Sequence, residues 1–375
     1  MAGLYLHIPF CKQACYYCDF HFSTDDHHIL ELCNAMAGEL ALQKNYLTGH
    51  VQTLYFGGGT PSLLNREELD ALFDAIHSNF SVASDAEITL EANPDDLKKE
   101  KLIMLQKAGI NRLSIGIQSF DEGILKLLNR AHDANTAQQC LGDVREAGFH
   151  NVSIDLIYAI PGLSNKAWEE AIKHALQFSP DHISSYALTI ENKTVFGNWS
   201  KHGKLKPIDE EIAAEQFEIL MDLLETEGYE HYEISNFCKP GYDSRHNSSY
   251  WKQSPYLGIG PSAHSYDGLS RQSNIRNNAL YIRSIEKGII PFEREILSPE
   301  NKINEYILTT LRTMWGCDLN FLKQNLGDDL LHRRHVYISQ IQAQGFVTLE
   351  SDILMLTRKG KLLADKIVED LIVSS

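Results

Sequence analysis

Cys11, Cys15 and Cys18 stand within eight residues of one another, directly after the apolar run Leu4 to Ile8. Three thiolates at this spacing can each hold one iron of a [4Fe-4S] cluster and leave the fourth iron without a protein ligand, open to a small molecule. A structural zinc closes with four protein ligands, so a zinc reading needs a nearby fourth partner, and His7 or His21 is placed to supply it. Uncommitted thiols are the remaining alternative. Cys33, Cys140, Cys238 and Cys317 are scattered and read as small buried hydrophobes; nothing local marks Cys317 as a ligand.

The elements that must position the triad alternate up to about residue 190. Strand-like runs fall at Leu4 to Ile8, Gln52 to Phe56, Glu87 to Glu91, Arg112 to Ile117, Val152 to Ile157 and His182 to Ala187. Helical patterns at 28–45, 66–79, 97–108, 121–147 in two pieces and 166–177 separate them. Six βα units predict a parallel sheet with helices outside, curled by right-handed crossovers into an open partial (β/α)6 barrel. The polar candidates fall at the C-terminal ends of these strands, where such folds place their sites: Cys11, the turn Gly57 to Thr60, Glu91, Gln118 and Asp155. The glycine turn lets backbone groups approach a ligand, although tight strand-to-helix turns also use glycine for steric reasons alone.

The division expected is 1–190 for the barrel, 191–297 for an extension and 298–375 for a helical module ending in a hairpin, a winged-helix-like shape. In the extension, Asp209 to Glu227 reads as a helix and Tyr229 to Ile234 as a strand. The C-terminal module carries nine Lys and Arg against ten Asp and Glu, so it lacks the basic footprint of a DNA reader and suits a structural or docking role. The whole chain of 375 residues has a formal charge of −16, which disfavours nucleic acid and anionic membranes as main partners. With 43% hydrophobic and 22% charged residues it is a folded globular chain. An odd cysteine count argues against a disulfide framework, no run approaches the roughly 20 apolar residues of a membrane span, and a cytoplasmic location is expected.

The triad and its setting resemble the Cys-x-x-x-Cys-x-x-Cys signature of the radical S-adenosylmethionine superfamily. That resemblance implies a [4Fe-4S] cluster whose open iron is chelated by the amino and carboxylate groups of S-adenosylmethionine, with electron transfer able to cleave the cofactor. It assigns the cofactor contacts as follows. Tyr17 would lie near the adenine, and Tyr5, Gly58, Gly59 and Thr60 would belong to the cofactor pocket. Glu91 would meet the methionine amino group and Arg130 its carboxylate, while Gln118 and Asp155 would bind ribose hydroxyls. Ala187 and His264 would lie where the superfamily lines its adenine pocket, and His264 could alternatively face a porphyrin.

His-Ile-Pro-Phe-Cys, Gly-Gly-Gly-Thr-Pro-Ser, Ser-Ile-Gly-Ile-Gln-Ser-Phe, Asp-Leu-Ile-Tyr and Gly-Ile-Gly-Pro-Ser-Ala together resemble the oxygen-independent coproporphyrinogen III oxidase-like group along the whole chain. Within it the match is to haem-carrying members rather than oxidases. The oxidases have a fourth cysteine two residues after the third, where this chain has Phe20, and a longer segment ahead of the first strand. The run Arg245 to Trp251 resembles a His-Asn-x-x-Tyr-Trp motif of that branch. It makes His246 a candidate haem ligand and Tyr250 and Trp251 candidate porphyrin contacts, against the alternative of a buried histidine with core aromatics. The expected function is a haem chaperone holding the cluster, the cofactor and haem, with an acceptor such as a respiratory haem protein and an electron donor if the cofactor is cleaved. The alternatives are a coproporphyrinogen III oxidase, and a zinc-stabilised winged-helix regulator.

Overall fold

The computed structural model describes residues 2–373. The six strands form as expected: β1 (Ala2–Ile8), β2 (Val51–Gly58), β3 (Val82–Ala92), β4 (Arg112–Gln118), β5 (Val152–Tyr158) and β6 (His182–Ala187). They pair in chain order and all in parallel. Each strand sends alternate residues to opposite faces. Leu4, Leu6 and Ile8 of β1, Leu54 and Phe56 of β2 and Ile115 and Ile117 of β4 are fully buried in the principal core. The intervening residues are polar and face the barrel interior, among them Thr53, Thr89, Arg112, Ser114, Ser153 and Ser184. The connecting helices, such as Ile29–Leu42 and Arg66–Asn79, cover the apolar face. The second of these is fixed at its start by a capping box between Asn65 and Glu68.

The segment after residue 190, where the βα rhythm is lost, does not leave the sheet. It adds β7 (Glu230–Glu233), β8 (Asn236–Cys238), β9 (Tyr256–Ile259), β10 (His264–Tyr266), β11 (Ser270–Asn274) and β12 (Phe292–Ile296). The result is one twelve-stranded sheet in the order β12-β11-β10-β9-β1-β2-β3-β4-β5-β6-β8-β7. Strand β9 lies parallel to β1, and β10 to β12 continue antiparallel beyond it. These strands are three to five residues long, too short for alternation to show in the sequence.

The helix Arg245–Trp251 closes the N-terminal end of the barrel. Glu87 accepts hydrogen bonds from the backbone N–H groups of Arg245 and His246, and a Cβ placed on Gly3 of β1 would meet the His246 ring at 3.2 Å.

Residues from about 299 onward build their own core around Ile307, Leu311, Leu322, Leu354 and Leu371. The hairpin Val347–Glu350 and Ile353–Leu356 is antiparallel, and Cys317–Asp318 joins it as a third strand. Helices precede and follow the hairpin, as a winged-helix-like module requires.

Candidate cofactor site at the C-terminal rim of the barrel

The loop after β1 carries the cysteines, and its fixing points come from distant parts of the chain. Cys11 N–H donates to the carbonyl of Ser23, and Asn129 Nδ2 donates to the carbonyl of Ala14 at 2.7 Å. Lys12, between the first two cysteines, forms ion pairs with Asp95 and Asp96 beyond β3. Thr60 Oγ1 donates to Cys11 Sγ at 3.4 Å and accepts from Asn93 Nδ2 at 3.2 Å. Arg130 continues this ring of contacts, donating to Asn93 Oδ1, to Cys15 Sγ at 3.3 Å and to the Tyr17 hydroxyl at 3.4 Å. Burial pushes the Cys11 thiol up to about 11, against the hydrogen bond from Thr60.

This donor set suits a cluster better than a single zinc. A tetrahedral zinc with Zn–S bonds of about 2.3 Å draws its sulfurs to within ~4 Å of one another. Among the described residues the three cysteine sulfurs do not all lie within 4.8 Å of each other. The fourth ligands required by the zinc reading are engaged elsewhere. His7 Nδ1 meets the Tyr5 hydroxyl and its Nε2 the carbonyl of His21, while His21 Nε2 meets Asn278 Oδ1.

The glycine turn is pressed against the chain itself. A Cβ on Gly59 would meet the backbone oxygen of Phe10 at 2.6 Å, and one on Gly58, whose φ is +110°, would meet the His7 ring at 2.6 Å. Both glycines are therefore needed to seat the turn beside β1 and the cysteine loop, whatever else their backbones contact. Tyr5, inside the barrel, stacks on Tyr55 with ring centroids 6.0 Å apart and lies against Gly57.

Glu91 accepts from Tyr55 Oη at 2.8 Å and from Gly58 N–H at 3.1 Å. Burial raises its pKa to about 7, and Asp155 nearby adds to the rise. Asp155, half-buried and approached by Ser114 Oγ at 3.4 Å, is raised by burial to about 6. Gln118 adopts φ +65° at the end of β4, and its Nε2 and Arg130 Nη2 both crowd the Cα of Gly116. Ala187 is exposed at the end of β6. Cys11, Cys15, Cys18, Tyr17, Thr60, Glu91, Gln118, Arg130 and Asp155 thus share one rim.

His264 belongs to a different part of that rim. It begins β10, on the β9 flank of β1, whereas Ala187 ends β6 on the β2 flank.

Of the two alternatives for His246, the structure shows the buried, hydrogen-bonded one. His246 is only 1% exposed; its Nδ1 meets Thr53 Oγ1 at 2.8 Å and its Nε2 meets the Tyr250 hydroxyl at 2.7 Å. No ring nitrogen is left for an iron, and burial holds its pKa down at about 3. Tyr250 and Trp251 line a pocket of about 220 Å³ with Tyr256, Tyr266 and Arg271. Tyr256 pairs close to the start of β1, so this pocket lies at the opposite end of the strands from the cysteines.

Two rim residues escaped the sequence reading. Asn93 links Thr60 to Arg130, and Tyr55 holds Glu91. The signal for Asn93 was its place before Pro94 at the end of β3; Tyr55 offered none beyond its place in β2.

A parallel βα sheet with three cysteines, an arginine and carboxylates gathered on its C-terminal rim defines a radical S-adenosylmethionine protein. Comparison with known proteins agrees: the Radical SAM superfamily profile matches residues 5–175 and the HemN C-terminal domain profile residues 297–363. The solved coproporphyrinogen III oxidase HemN of Escherichia coli superposes with a TM-score of 0.85 over 99% of this chain and 90% of its own, at 24% identity, which establishes the shared fold. The haem chaperone HemW of Bacillus subtilis (strain 168) is 36% identical, covering 98% of both chains. HemW of Escherichia coli (strain K12) is 32% identical over 98% of this chain and 97% of its own. The chain belongs to the HemW family of haem chaperones.

Proposed function

We propose that this protein takes up haem and hands it to an acceptor haem protein, carrying a [4Fe-4S] cluster on Cys11, Cys15 and Cys18 and S-adenosylmethionine beside it. The observation that carries this reading is kinship to HemW along 98% of both chains. The rim residues fit the cofactor chemically. Glu91, ionised, pairs with the methionine ammonium beside the Gly58 and Gly59 backbone, Arg130 with the carboxylate, and Gln118 and Asp155 with ribose hydroxyls. Tyr17 and Ala187 bound the adenine side. When bound, the cluster supplies an open iron for the methionine end and a single electron.

The acceptor in its finer form is a respiratory haem protein, and an electron donor is required only if the cofactor is cleaved. Seven cysteines without a disulfide among them support a reducing, cytoplasmic setting. Among the described residues no helix is long and apolar enough to cross a membrane.

The test is anaerobic reconstitution with iron and sulfide, titration with haem, and then mixing with an apo haem protein. Transfer of the haem spectrum to the acceptor is expected. Conversion of coproporphyrinogen to protoporphyrinogen in the presence of cofactor and reductant would replace the chaperone reading with the oxidase one.

A further inference from the structure

Arg112 stands at the start of β4 with its side chain inside the barrel, and it is only 1% exposed. A guanidinium stays charged in any protein setting, so a buried one needs a counterion. The half-buried Arg271 and Arg333 have theirs in Glu305 and Asp328. Arg112 makes no ion pair within 4.0 Å among the described residues, and its Nε–H has no hydrogen-bond partner. Thr89, its neighbour across the β3–β4 register, likewise leaves a buried hydroxyl unbonded. No adjacent group neutralises this charge in the middle of the barrel.

The acids placed to balance it are two carboxyls of the rim. Glu91 on β3 lies across from Ser114, one interior step further along β4 than Arg112. The spacings between and along strands put the Cα atoms of Arg112 and Glu91 about 8 Å apart. Asp155 on β5 lies across from Gly116, a further step up, with Ser114 Oγ on its carboxyl. The other titratable groups around the guanidinium offer it no negative charge near neutral pH. Burial keeps the phenols of Tyr55 and Tyr232 and the Cys238 thiol protonated, and holds His182 and His246 neutral. Glu87, one interior step below Thr89, has both oxygens taken by the N–H groups of Arg245 and His246. Burial raises Glu91 and Asp155 alike; Arg112 opposes the rise in each, and at Asp155 more than Arg130 does.

We propose, on the cofactor reading above, that Arg112 is a positioning residue for S-adenosylmethionine: its buried charge allows Glu91 to ionise beside Asp155, so that a carboxylate meets the methionine ammonium at neutral pH. Two carboxyls sharing an interior repel each other when both ionise, and one of them then tends to keep its proton. A fixed cation beneath them relieves that conflict without occupying the pocket. Arg130 is not free for this task. Its guanidinium is engaged with Asn93, the Gly116 carbonyl and Cys15, and it is the partner proposed for the cofactor carboxylate. Arg112 acts through Glu91, from below it.

The test measures S-adenosylmethionine affinity against pH, by calorimetry under anaerobic conditions, in the full-length reconstituted wild type, Arg112→Gln, Arg112→Met and Arg112→Lys, each checked for unchanged iron content. A unit charge about 8 Å away, at the effective dielectric of a protein interior, changes the ionisation of Glu91 on the order of tenfold. Arg112→Gln should therefore move the midpoint of the affinity profile up by about one pH unit, weaken binding about fivefold at pH 7 and leave it no weaker than wild type near pH 9. Arg112→Met should give the same shift, which keeps the test open if the glutamine variant does not fold. Arg112→Lys, which retains the charge, should restore the wild-type midpoint. In a Glu91→Gln background, Arg112→Gln should shift nothing. An unmoved midpoint, or a weakening equal at every pH, would overturn the proposal and leave Arg112 a packing residue while the cofactor reading survives. If the wild type binds no S-adenosylmethionine, the cofactor reading falls and this role with it.

Discussion

Glu91 is a carboxyl held near neutrality by burial, its pKa raised from 4.5 to about 7. A carboxyl whose pKa is raised on folding leaves the folded state unable to ionise where the unfolded chain already has. Stability from this group is therefore complete below the unfolded value and is lost as pH rises towards 7. A difference of roughly 2.5 pH units corresponds to about 3 kcal/mol, and residual solvent contact of the half-buried side chain brings this to about 2 kcal/mol. Glu91→Gln removes the titration and keeps one of the two acceptor oxygens, so that Gly58 N–H retains its partner while the amide NH2 donates to the Tyr55 hydroxyl. Urea unfolding of the reduced, metal-free protein between pH 4.5 and pH 8 should show the variant gaining about 2 kcal/mol on the wild type as pH rises. Asp155 titrates in both proteins, and because its charge adds to the rise at Glu91, part of the pH-dependent difference belongs to the pair of carboxyls. A stability difference constant across that range would refute the burial argument. The same carboxyl must ionise to pair with an ammonium, so cofactor affinity in the reconstituted wild type should fall below pH 7, and in Glu91→Gln it should be weak and flat.

Cys11→Ser should lose the four-iron cluster, read as iron content and visible absorption; a normal cluster in that variant would overturn the ligand assignment. His246→Ala removes a buried ring with two hydrogen bonds and should cost about 2–4 kcal/mol in urea unfolding while leaving haem affinity unchanged. Gly59→Ala drives a methyl into the Phe10 backbone and should lower cluster occupancy after reconstitution, with a stability cost of about 1–3 kcal/mol. Glu39→Ala leaves the Gly260 N–H, Asn274 and Tyr281 without their shared acceptor and should destabilise the protein by about 3 kcal/mol. A change under 1 kcal/mol would show that water replaces the carboxylate.

The sequence by itself determined the barrel and the cysteine loop, because both are local. A parallel strand buried against helices reads as a short apolar run, and three cysteines at fixed spacing declare themselves without knowledge of the fold. Helix Arg66–Asn79 was legible to the residue, since Asn65 and Glu68 form its cap within the same segment. What lay outside local reach was decided by the tertiary structure. The strands β9 to β12 are too short to carry a period, and they exist because β1 offers an unpaired edge to β9. Asn93 acquires its place only when β3 sets it between Thr60 and Arg130. The two histidines that the sequence offered to a porphyrin differ in nothing local. His246 is plugged into the base of the barrel with both nitrogens bonded, whereas His264 is carried to the open rim beside the cysteines, because burial and hydrogen-bond satisfaction belong to the packed chain as a whole.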